Sequence, residues 1–352
     1  MNTHELDPAH YFTVPGLTFD TMLKYTKMNI ELLQDYDMIL MKEHGIRGDA
    51  NNLYGQAMSM YLPYGGFEWV NSPDCVSILD LRDDDEIGYL FELDIIYPQE
   101  LHHIHDNLPF LPETIVPPLI VLPDDLLIGT KMDSKSAWIT NGTLLCLSTF
   151  ENLILVSFLG NSTLKNRNRY VLHYRNLIQA IKHGLKLEKI HRALKFNQSP
   201  WLSSYIEYNT ELRKGASNDF EKDFYKLLNN AVFGKTMENI RNRQDIQLVT
   251  DSKKLMKLIA KPNFIDRTIY NENIAAVHMN KSRILFNKPI YIGMCILDLS
   301  KIVMYHFHYD VMMKRYPTNT LKMMYTDTDS FIYRILTDDV YEDMKNMNQF
   351  RL

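Results

Sequence analysis

The sequence MMYTDTDSFIY, at residues 323–333, decides the fold more than any other stretch of this chain. Two apolar, aromatic-rich arms flank Asp327 and Asp329, which is the pattern of a β-hairpin with acidic residues at its tip. Residues two apart on a strand share a face, so the two carboxylates are expected to project together. Crowded carboxylates need a positive charge between them, and a hard divalent cation such as Mg²⁺ is the usual solution. A plain polar turn is the structural alternative.

Two shorter motifs lie upstream, and each is weak when taken alone. The first is DANNLY at residues 49–54, an acid ahead of a strand or helix, which is a common arrangement. The second is KLLNNAVFG at residues 226–234, in a predicted helix whose Lys226 and Asn230 share a face because they are four residues apart. A lysine on a helix is usually solvated, so this motif alone is weak support for a phosphate contact.

Charge is distributed unevenly along the chain of 352 residues, whose formal net charge is −5. Residues 1–160 hold 7 basic and 24 acidic side chains, whereas residues 161–243 hold 16 basic and 7 acidic ones. A concentrated positive block inside an acidic protein is typical of a surface that binds a phosphate-rich partner. A solvated helical face would show the same excess, so charge alone leaves both interpretations open.

Composition favours an intracellular globular protein. The three cysteines form no C-x-x-C pair, which argues against a disulfide scaffold or a zinc finger and for a reducing compartment. The residues after Met1 are polar and do not resemble a secretory signal. The apolar run at residues 144–160 has Glu151 and Asn152 at its middle, where a bilayer would oppose them most, so no membrane span is expected.

Hydrophobic periodicity predicts strands and helices in alternation, which indicates an α+β or mixed α/β architecture. Residues 113–163 show little periodicity of either kind and are interpreted as an insertion. The predicted helices occupy residues 19–41, 170–183, a segment opening at Pro200, residues 218–234 and part of 290–309. The predicted strands occupy residues 88–96 and 185–196, two runs beyond Asn263, and the hairpin centred on Asp327.

In this order, the three motifs resemble motifs A, B and C of the B-family DNA polymerases, D-x-x-S-L-Y-P, K-x-x-x-N-S-x-Y-G and Y-x-D-T-D-S. Motif C is matched in full from Tyr325 to Ser330, whereas motif B has Ala231 for serine and Phe233 for tyrosine. Motif A has Asn52 for serine. The stretches DANNLYG, FEKDFYKL and GKTMENIR are similar to those of the organellar and viral, protein-primed B-family polymerases. They are closest to the polymerases of Polinton/Maverick transposons.

This resemblance implies a right-hand polymerase fold of the α+β class. It would have a palm built on an antiparallel sheet with helices, and fingers of two helices, with the thumb and the exonuclease domain expected to be absent from this sequence. The implied division is a leader at 1–48, a first palm part at 49–112, an insertion at 113–165, a strand with the finger helices at 166–243, and a second palm part at 244–352.

The resemblance also implies a site for two Mg²⁺ ions and a nucleoside triphosphate. Asp49 and Asp329 would be the principal metal ligands, with Asp327 supporting them and the Ala50 carbonyl completing the coordination. Tyr54 would lie under the incoming sugar and exclude a 2′-hydroxyl. The triphosphate would be bound by side chains of the two finger helices, which are expected to pack antiparallel: Arg213, Lys214, Lys226 and Asn230.

The implied function is that of a DNA-directed DNA polymerase fragment, which adds dNTPs to a primer 3′-hydroxyl in DNA replication. Its partners would be primer–template DNA and dNTPs, with a terminal protein as an optional primer and no membrane. The location would be intracellular, with the nucleus, an organelle and a viral replication site left open.

The rival interpretation is a non-catalytic, nucleic-acid-binding remnant of a mobile element. In the family a hydrophobic strand precedes motif A, whereas residues 41–48 here are polar and contain Gly45 and Gly48. A reverse transcriptase is a poorer match, because its palm carries adjacent aspartates and Thr328 separates them here.

Overall fold

The computed structural model describes most of the chain as an α+β protein. The described residues are 6–45, 53–112, 137–140, 143–146, 163–317, 319–327 and 330–346. The helices are α1 (Val14–Thr26), α2 (Tyr36–Gly45), α3 (Tyr54–Met58), α4 (Tyr174–Lys182), α5 (Ser203–Lys214), α6 (Asp219–Thr236), α7 (Ser252–Ile259), α8 (Ile290–Tyr305), α9 (Met313–Arg315) and α10 (Val340–Asn346), with a π-helical segment (His306–Met312) between α8 and α9. The strands are β1 (Leu62–Trp69), β2 (Ile87–Ile96), β3 (Ala137–Thr140), β4 (Thr143–Cys146), β5 (Arg167–His173), β6 (Lys186–Ser199), β7 (Gln244–Val249), β8 (Phe264–Asn271), β9 (Ile274–Asn280), β10 (Leu321–Asp327) and β11 (Ser330–Ile335).

The largest sheet has four strands in the order β1-β6-β2-β5, and every neighbouring pair is antiparallel. In its centre Leu90 of β2 pairs with Leu194 of β6, and Phe91 pairs with Ala193. Successive side chains on a strand point to opposite faces. Accordingly, Leu90 and Leu194 belong to one apolar cluster, and Phe91 and Ala193 belong to another. The sheet therefore separates two cores.

Helix α8 is the apolar centre of the first core, which is the one that contains Leu90 and Leu194. Its side chains are buried without interruption from Tyr291 to Ser300, and it contacts α3, α4, α6 and the sheet. Gly293 allows α6 to approach closely, because a Cβ there would meet the side chain of Met237. By length and composition the continuous helix Ile290–Arg315 is apolar enough to cross a membrane, but most of its apolar stretch is buried inside the protein.

Two predicted helices have the wrong bounds. The predicted helix 19–41 is two helices, because Lys27 adopts a left-handed conformation (φ 53°) that ends α1, and α2 begins nine residues later. The predicted helix 170–183 begins as strand β5, which pairs with β2 as far as His173. Apolar periodicity within either segment does not reveal these boundaries, because the strand forms against a partner that is distant in sequence.

The other predicted elements are present near their predicted bounds. These are the strands β2, β6, β8 and β9, the helices α5, α6 and α8, and the hairpin β10–β11. Asn218, one of two cap candidates in the sequence with Ser217, caps α6: its side-chain oxygen accepts a hydrogen bond from the backbone N–H of Glu221 at 2.9 Å.

Arg167, a buried side chain at the start of β5, holds together the two ends of residues 113–162. Its guanidinium donates hydrogen bonds to the carbonyl oxygens of Leu111, Lys165 and Thr163, at 2.8, 2.6 and 2.6 Å. These acceptors offset the high cost of burying a charge. These hydrogen bonds bring Leu111 and Thr163, which flank this segment, to the same side chain. Within that segment, strands β3 and β4 pair with each other.

A second antiparallel sheet, β7-β9-β8, follows α6 and is covered by α7. Its core is small and consists of Val249, Leu258, Val277 and Met279. The predicted domain limits at residues 48, 112, 165 and 243 remain predictions from the sequence.

Candidate active site

Helices α5 and α6 form an antiparallel helical hairpin, because only residues 215–218 connect them. The side chain of Asn209 in α5 donates a hydrogen bond to the side-chain oxygen of Asn229 in α6, at 2.9 Å. Leu228 and Val232 are buried on the inner face of α6. The pairing of two antiparallel helices, which the sequence predicted for the fingers, is confirmed.

Tyr54, the last residue of the first motif, stacks on Phe233 of α6. The ring centroids are 3.9 Å apart and the ring planes differ by 23°. Tyr54 opens α3 and is buried. Phe233 shares its face of α6 with Asn230 and Lys226, which precede it by three and seven residues. The stack therefore joins the end of the first motif to the helix face that carries the second.

Space remains open beside this stack. Lys226 and Asn230 are half-buried, and Lys226 lies about 10 Å from Phe233 along the helix axis. Among the described residues, only the chain neighbours and the backbone of its own helix would lie within 4 Å of a Cβ added at Gly55 or Gly234, one residue after each ring. Lys226 has no ion-pair partner among the residues that the structure describes. A free cation, an amide and open space thus occur along one face of α6.

Arg213 and Lys214 end α5, and both are exposed. The ammonium of Lys214 pairs with the carboxylate of Glu211 at 2.7 Å, whereas Arg213 has no ion-pair partner in the described part of the chain. An exposed pair of this kind contributes little stability and leaves Lys214 available to a ligand. The predicted orientation of both side chains towards the cleft of Lys226 stays a prediction.

The third motif forms the β10–β11 hairpin, a two-stranded sheet of its own. Asp327 ends β10 and pairs with Ser330, the first residue of β11. Many of its side chains are exposed, including Tyr325 and Ile332. The predicted hairpin, with an aspartate at the end of its first strand, is confirmed.

Aromatic contacts seat this hairpin on the π-helical segment. The ring of His308 stacks on that of Tyr333 at 5.8 Å, and its Nδ1 lies 2.9 Å from the Tyr333 hydroxyl. Phe307 and Phe331 stack alongside at 6.0 Å. Burial lowers the pKa of His308 to about 4 and raises the pKa of Tyr333. The seat is therefore uncharged at neutral pH.

The predicted metal ligands fall largely outside the described residues. Asp49, Ala50 and Asp329 lie beyond them, and of Asp327 the structure describes the backbone alone. Their convergence stays a prediction. Within the described residues, no group of three His, Cys, Asp or Glu side chains is arranged to hold a metal ion.

Lys42, on α2 shortly before the first motif, is buried among aromatic rings. Its Nζ lies 5.6 Å from the ring centroid of Phe67 and 5.7 Å from that of Phe196, and it has no hydrogen-bond partner among the described residues. Burial lowers the pKa of this ammonium to about 7. The two cation–π contacts offset part of the cost of burying it. The sequence indicated only that this stretch was polar and did not predict its burial.

Part of the positive block at residues 161–243 is neutralised by acids from the first part of the chain. The pairs are Arg169–Glu92, Arg192–Glu92, Arg175–Asp83 and Lys195–Glu68. These pairs connect β5, α4 and β6 to β1, β2 and the loop between them. Part of the block therefore has a structural use, and this reduces the charge that is free for a phosphate-rich partner.

Comparison with known families identifies the central part of the chain. Residues 158–312 match the family described as DNA polymerase type B, organellar and viral. This segment, which is somewhat less than half of the chain, is similar to the type B DNA polymerases. The matched residues include α6 with its motif B, and end at the π-helical segment, before motif C. The B-family resemblance is thus confirmed, whereas the closer likeness to Polinton/Maverick polymerases stays a prediction.

The fold is similar to that of phi29 DNA polymerase. Phi29 DNA polymerase complexed with primer–template DNA and incoming nucleotide substrates gives a TM-score of 0.50 at 15% identity, over 95% of this chain and 50% of that chain. A second structure, phi29 DNA polymerase complexed with primer–template DNA, gives 0.49 at 12% identity, with the same coverage. The chain thus spans about half the length of these structures. No curated protein matches the sequence. The predicted α+β polymerase fold is confirmed.

Sequence reasoning missed three residues that organise the candidate site. Phe233 occupies the tyrosine position of motif B, but nothing in the sequence showed that it stacks on Tyr54. His308 and Tyr333 seat the motif C hairpin, and their signal was limited to an aromatic-rich strand and an apolar helix.

Proposed function

We propose that this chain supplies the palm and fingers of a DNA-directed DNA polymerase, which transfers a nucleotide from a dNTP to the 3′-hydroxyl of a primer. The observation that carries the proposal is the stack of Tyr54 on Phe233. It brings the end of motif A against α6, where Lys226 and Asn230 lie on the same face. Motifs that are far apart in the sequence can serve one site only if such contacts form.

The face of α6 suits the triphosphate of a nucleotide. Lys226 would neutralise phosphate oxygens, and Asn230, one turn away, would donate its amide hydrogens to the same group. Arg213 and Lys214, at the end of α5, would supply further positive charge. These donors would stabilise the charge that grows on the departing pyrophosphate.

Tyr54 would select the sugar. Its ring is buried against Phe233, so it cannot easily turn away from a nucleotide placed above it. A 2′-hydroxyl would meet this fixed ring, which favours deoxynucleotides over ribonucleotides. The open space at Gly55 and Gly234 would receive the nucleotide.

We assign Asp49, Asp327 and Asp329, with the Ala50 carbonyl, as ligands of two Mg²⁺ ions. Their oxygen donors suit this hard cation, and the hairpin backbone carries Asp327 at the end of β10. When bound, the ions would activate the primer hydroxyl and offset charge on the triphosphate.

Steady-state primer extension tests the triphosphate site. Lys226→Gln should raise KM for dNTP about 10- to 100-fold, because a hydrogen bond to a charged group contributes about 1.5–3 kcal/mol. Lys253→Gln, which removes an exposed lysine of α7, is the matched control and should leave KM unchanged. An unchanged KM for Lys226→Gln would remove Lys226 from the site.

Metal dependence tests the aspartates separately. Asp329→Asn should abolish Mg²⁺-dependent incorporation while DNA binding is kept, because the substitution removes a metal ligand and not a phosphate contact. Incorporation that survives in Asp329→Asn would contradict the metal assignment.

A second candidate function is nucleic-acid binding without catalysis. Two observations favour it: the motif C hairpin is a sheet apart from the four-stranded one, and Lys42 is buried without a hydrogen-bond partner among the described residues, shortly before motif A. Such a protein would bind DNA with a steep salt dependence, because phosphate contacts release counterions. Tight DNA binding by a wild-type chain that shows no Mg²⁺-dependent incorporation would decide for it.

The same proposal includes primer–template DNA as a partner and an intracellular location. Cys75 and Cys295, the cysteines whose side chains the structure describes, are both free. Free thiols are expected in a reducing compartment. A terminal protein as primer rests on the family resemblance alone.

A further inference from the structure

A cavity of about 340 Å³ lies at the open end of the β10–β11 hairpin. Its walls come from the hairpin strands, the π-helical segment and the loop at residues 103–107. Lys322 lines this hairpin-base cavity, five residues before Asp327 and roughly 17 Å from it along the strand. The cavity is therefore distinct from the proposed metal site, and the proposed polymerase function leaves it unused.

Two cations face each other across the hairpin at this cavity. Lys322 of β10 and Arg334 of β11 are directly opposite in register, and both line the cavity. Like charges at directly opposite positions destabilise a pair of strands. Neither side chain has an ion-pair partner among the residues that the structure describes. An anion placed between them would replace this repulsion by two attractions.

The other walls leave the cavity with an excess of positive charge. Asp106 is the acidic side chain among the described lining residues, so one carboxylate stands against two cations. Asn107 donates a hydrogen bond to this carboxylate at 2.7 Å. His308 adds no charge at neutral pH, because burial lowers its pKa to about 4.

We propose that the hairpin-base cavity binds a phosphate group between Lys322 and Arg334. The planar guanidinium presents parallel N–H groups that match two phosphate oxygens, and the lysine ammonium adds a point charge. The volume is within the range of small-molecule sites, so the phosphate can belong to a free anion or nucleotide, or to the end of a nucleic acid. An occupant would bridge the two strands and stabilise the hairpin that carries Asp327 at its other end.

Thermal unfolding and equilibrium binding of the full chain test this proposal, at constant ionic strength and with EDTA so that the metal site takes no part. Inorganic phosphate is the first probe. The wild-type chain should show a saturable rise in Tm, and Lys322→Met and Arg334→Met should each weaken binding at least about tenfold. Without phosphate, each variant should melt no lower than wild type, because a repulsion has been removed.

The matched controls are Lys253→Met and Arg267→Met, which remove exposed cations that do not line the cavity and should bind phosphate as the wild type does. A short oligonucleotide with and without a 5′-phosphate is the second probe. Preference for inorganic phosphate and mononucleotides identifies a small-anion site, and preference for the 5′-phosphorylated oligonucleotide identifies a nucleic-acid end. No saturable binding up to roughly 10 mM, or equal losses in the cavity variants and the controls, would overturn the proposal.

Discussion

The two halves of the candidate site differ in how they are held. Tyr54 and Phe233 belong to a region in which Ala57, Met58 and Val232 are completely buried, so the first core fixes their positions. The motif C hairpin, in contrast, is largely exposed and rests on the π-helical segment through a few aromatic rings.

Because of this difference, the two regions are expected to contribute unequally to the stability of the fold. The energy of a buried contact grows with the apolar area that it removes from water. The region around Tyr54 and Phe233 is therefore part of the global fold, whereas the hairpin contributes little to global stability. Substitutions in the hairpin should affect chemistry more than unfolding, and substitutions in the core should do the reverse.

The largest expected effect compares one apolar residue in each region. Leu194→Ala, in the centre of β6, should lower the free energy of unfolding by about 2–5 kcal/mol, because the side chain is completely buried. Ile332→Ala, on the exposed face of β11, should change it by less than about 0.5 kcal/mol. Urea unfolding followed by tryptophan fluorescence measures both. Equal losses would show that the hairpin packs against more of the protein than its exposure indicates.

An intermediate effect is expected from two helical glycines. Gly293→Ala should destabilise the protein by about 1–3 kcal/mol, because its new Cβ would collide with Met237 and Thr236. Gly234→Ala should be neutral or stabilise by up to about 1 kcal/mol, because space is open there and alanine favours a helix. Thermal unfolding of both variants gives the comparison.

Gly234→Ala is expected to have the smaller effect on stability but the larger effect on nucleotide binding. If the space at Gly234 receives the nucleotide, Gly234→Ala should raise KM for dNTP severalfold although the fold is intact. A stable Gly234→Ala variant with wild-type KM would contradict the use of this space by the nucleotide.

The smallest effect concerns pH and the seat of the hairpin. The pKa of His308 is about 4 in the folded protein, below its ordinary value of 6.5, because burial opposes the charged form. The unfolded chain therefore binds more protons between pH 6.5 and 4, and stability present above pH 6.5 is lost as pH falls through that range. Between pH 7 and 5.5 the loss should be about 1 kcal/mol.

His308→Phe should remove this loss of hairpin stability at low pH, since phenylalanine keeps a ring against Tyr333 and does not titrate. Hydrogen exchange of the β10–β11 amides, corrected for the intrinsic rate at each pH, measures the stability of the hairpin. His105→Phe is the matched control in the main body, because His105 also lies 2.9 Å from a tyrosine hydroxyl, that of Tyr97, and burial also lowers its pKa to about 4. Hairpin exchange that responds equally to both variants would show that the two regions are not independent.

Elements whose signals are local could be predicted from the sequence alone. The alternating arms around Asp327 specify a hairpin because the period of a strand is two residues. Asn218 specifies the start of α6 because a cap acts within three residues of its own position. The order of the three motifs indicated a resemblance to the B-family polymerases, and the family match over residues 158–312 confirms it.

Only the tertiary structure decided which of these elements meet. Tyr54 and Phe233 are far apart in sequence, and their stack depends on how α3 and α6 pack around α8. The strand at Tyr170 became visible only through its pairing with β2, and the burial of Lys42 only through the rings of Phe67 and Phe196. The physical reason is the range of the forces involved. Turns and caps are set by neighbouring residues, whereas burial depends on every element that encloses a side chain.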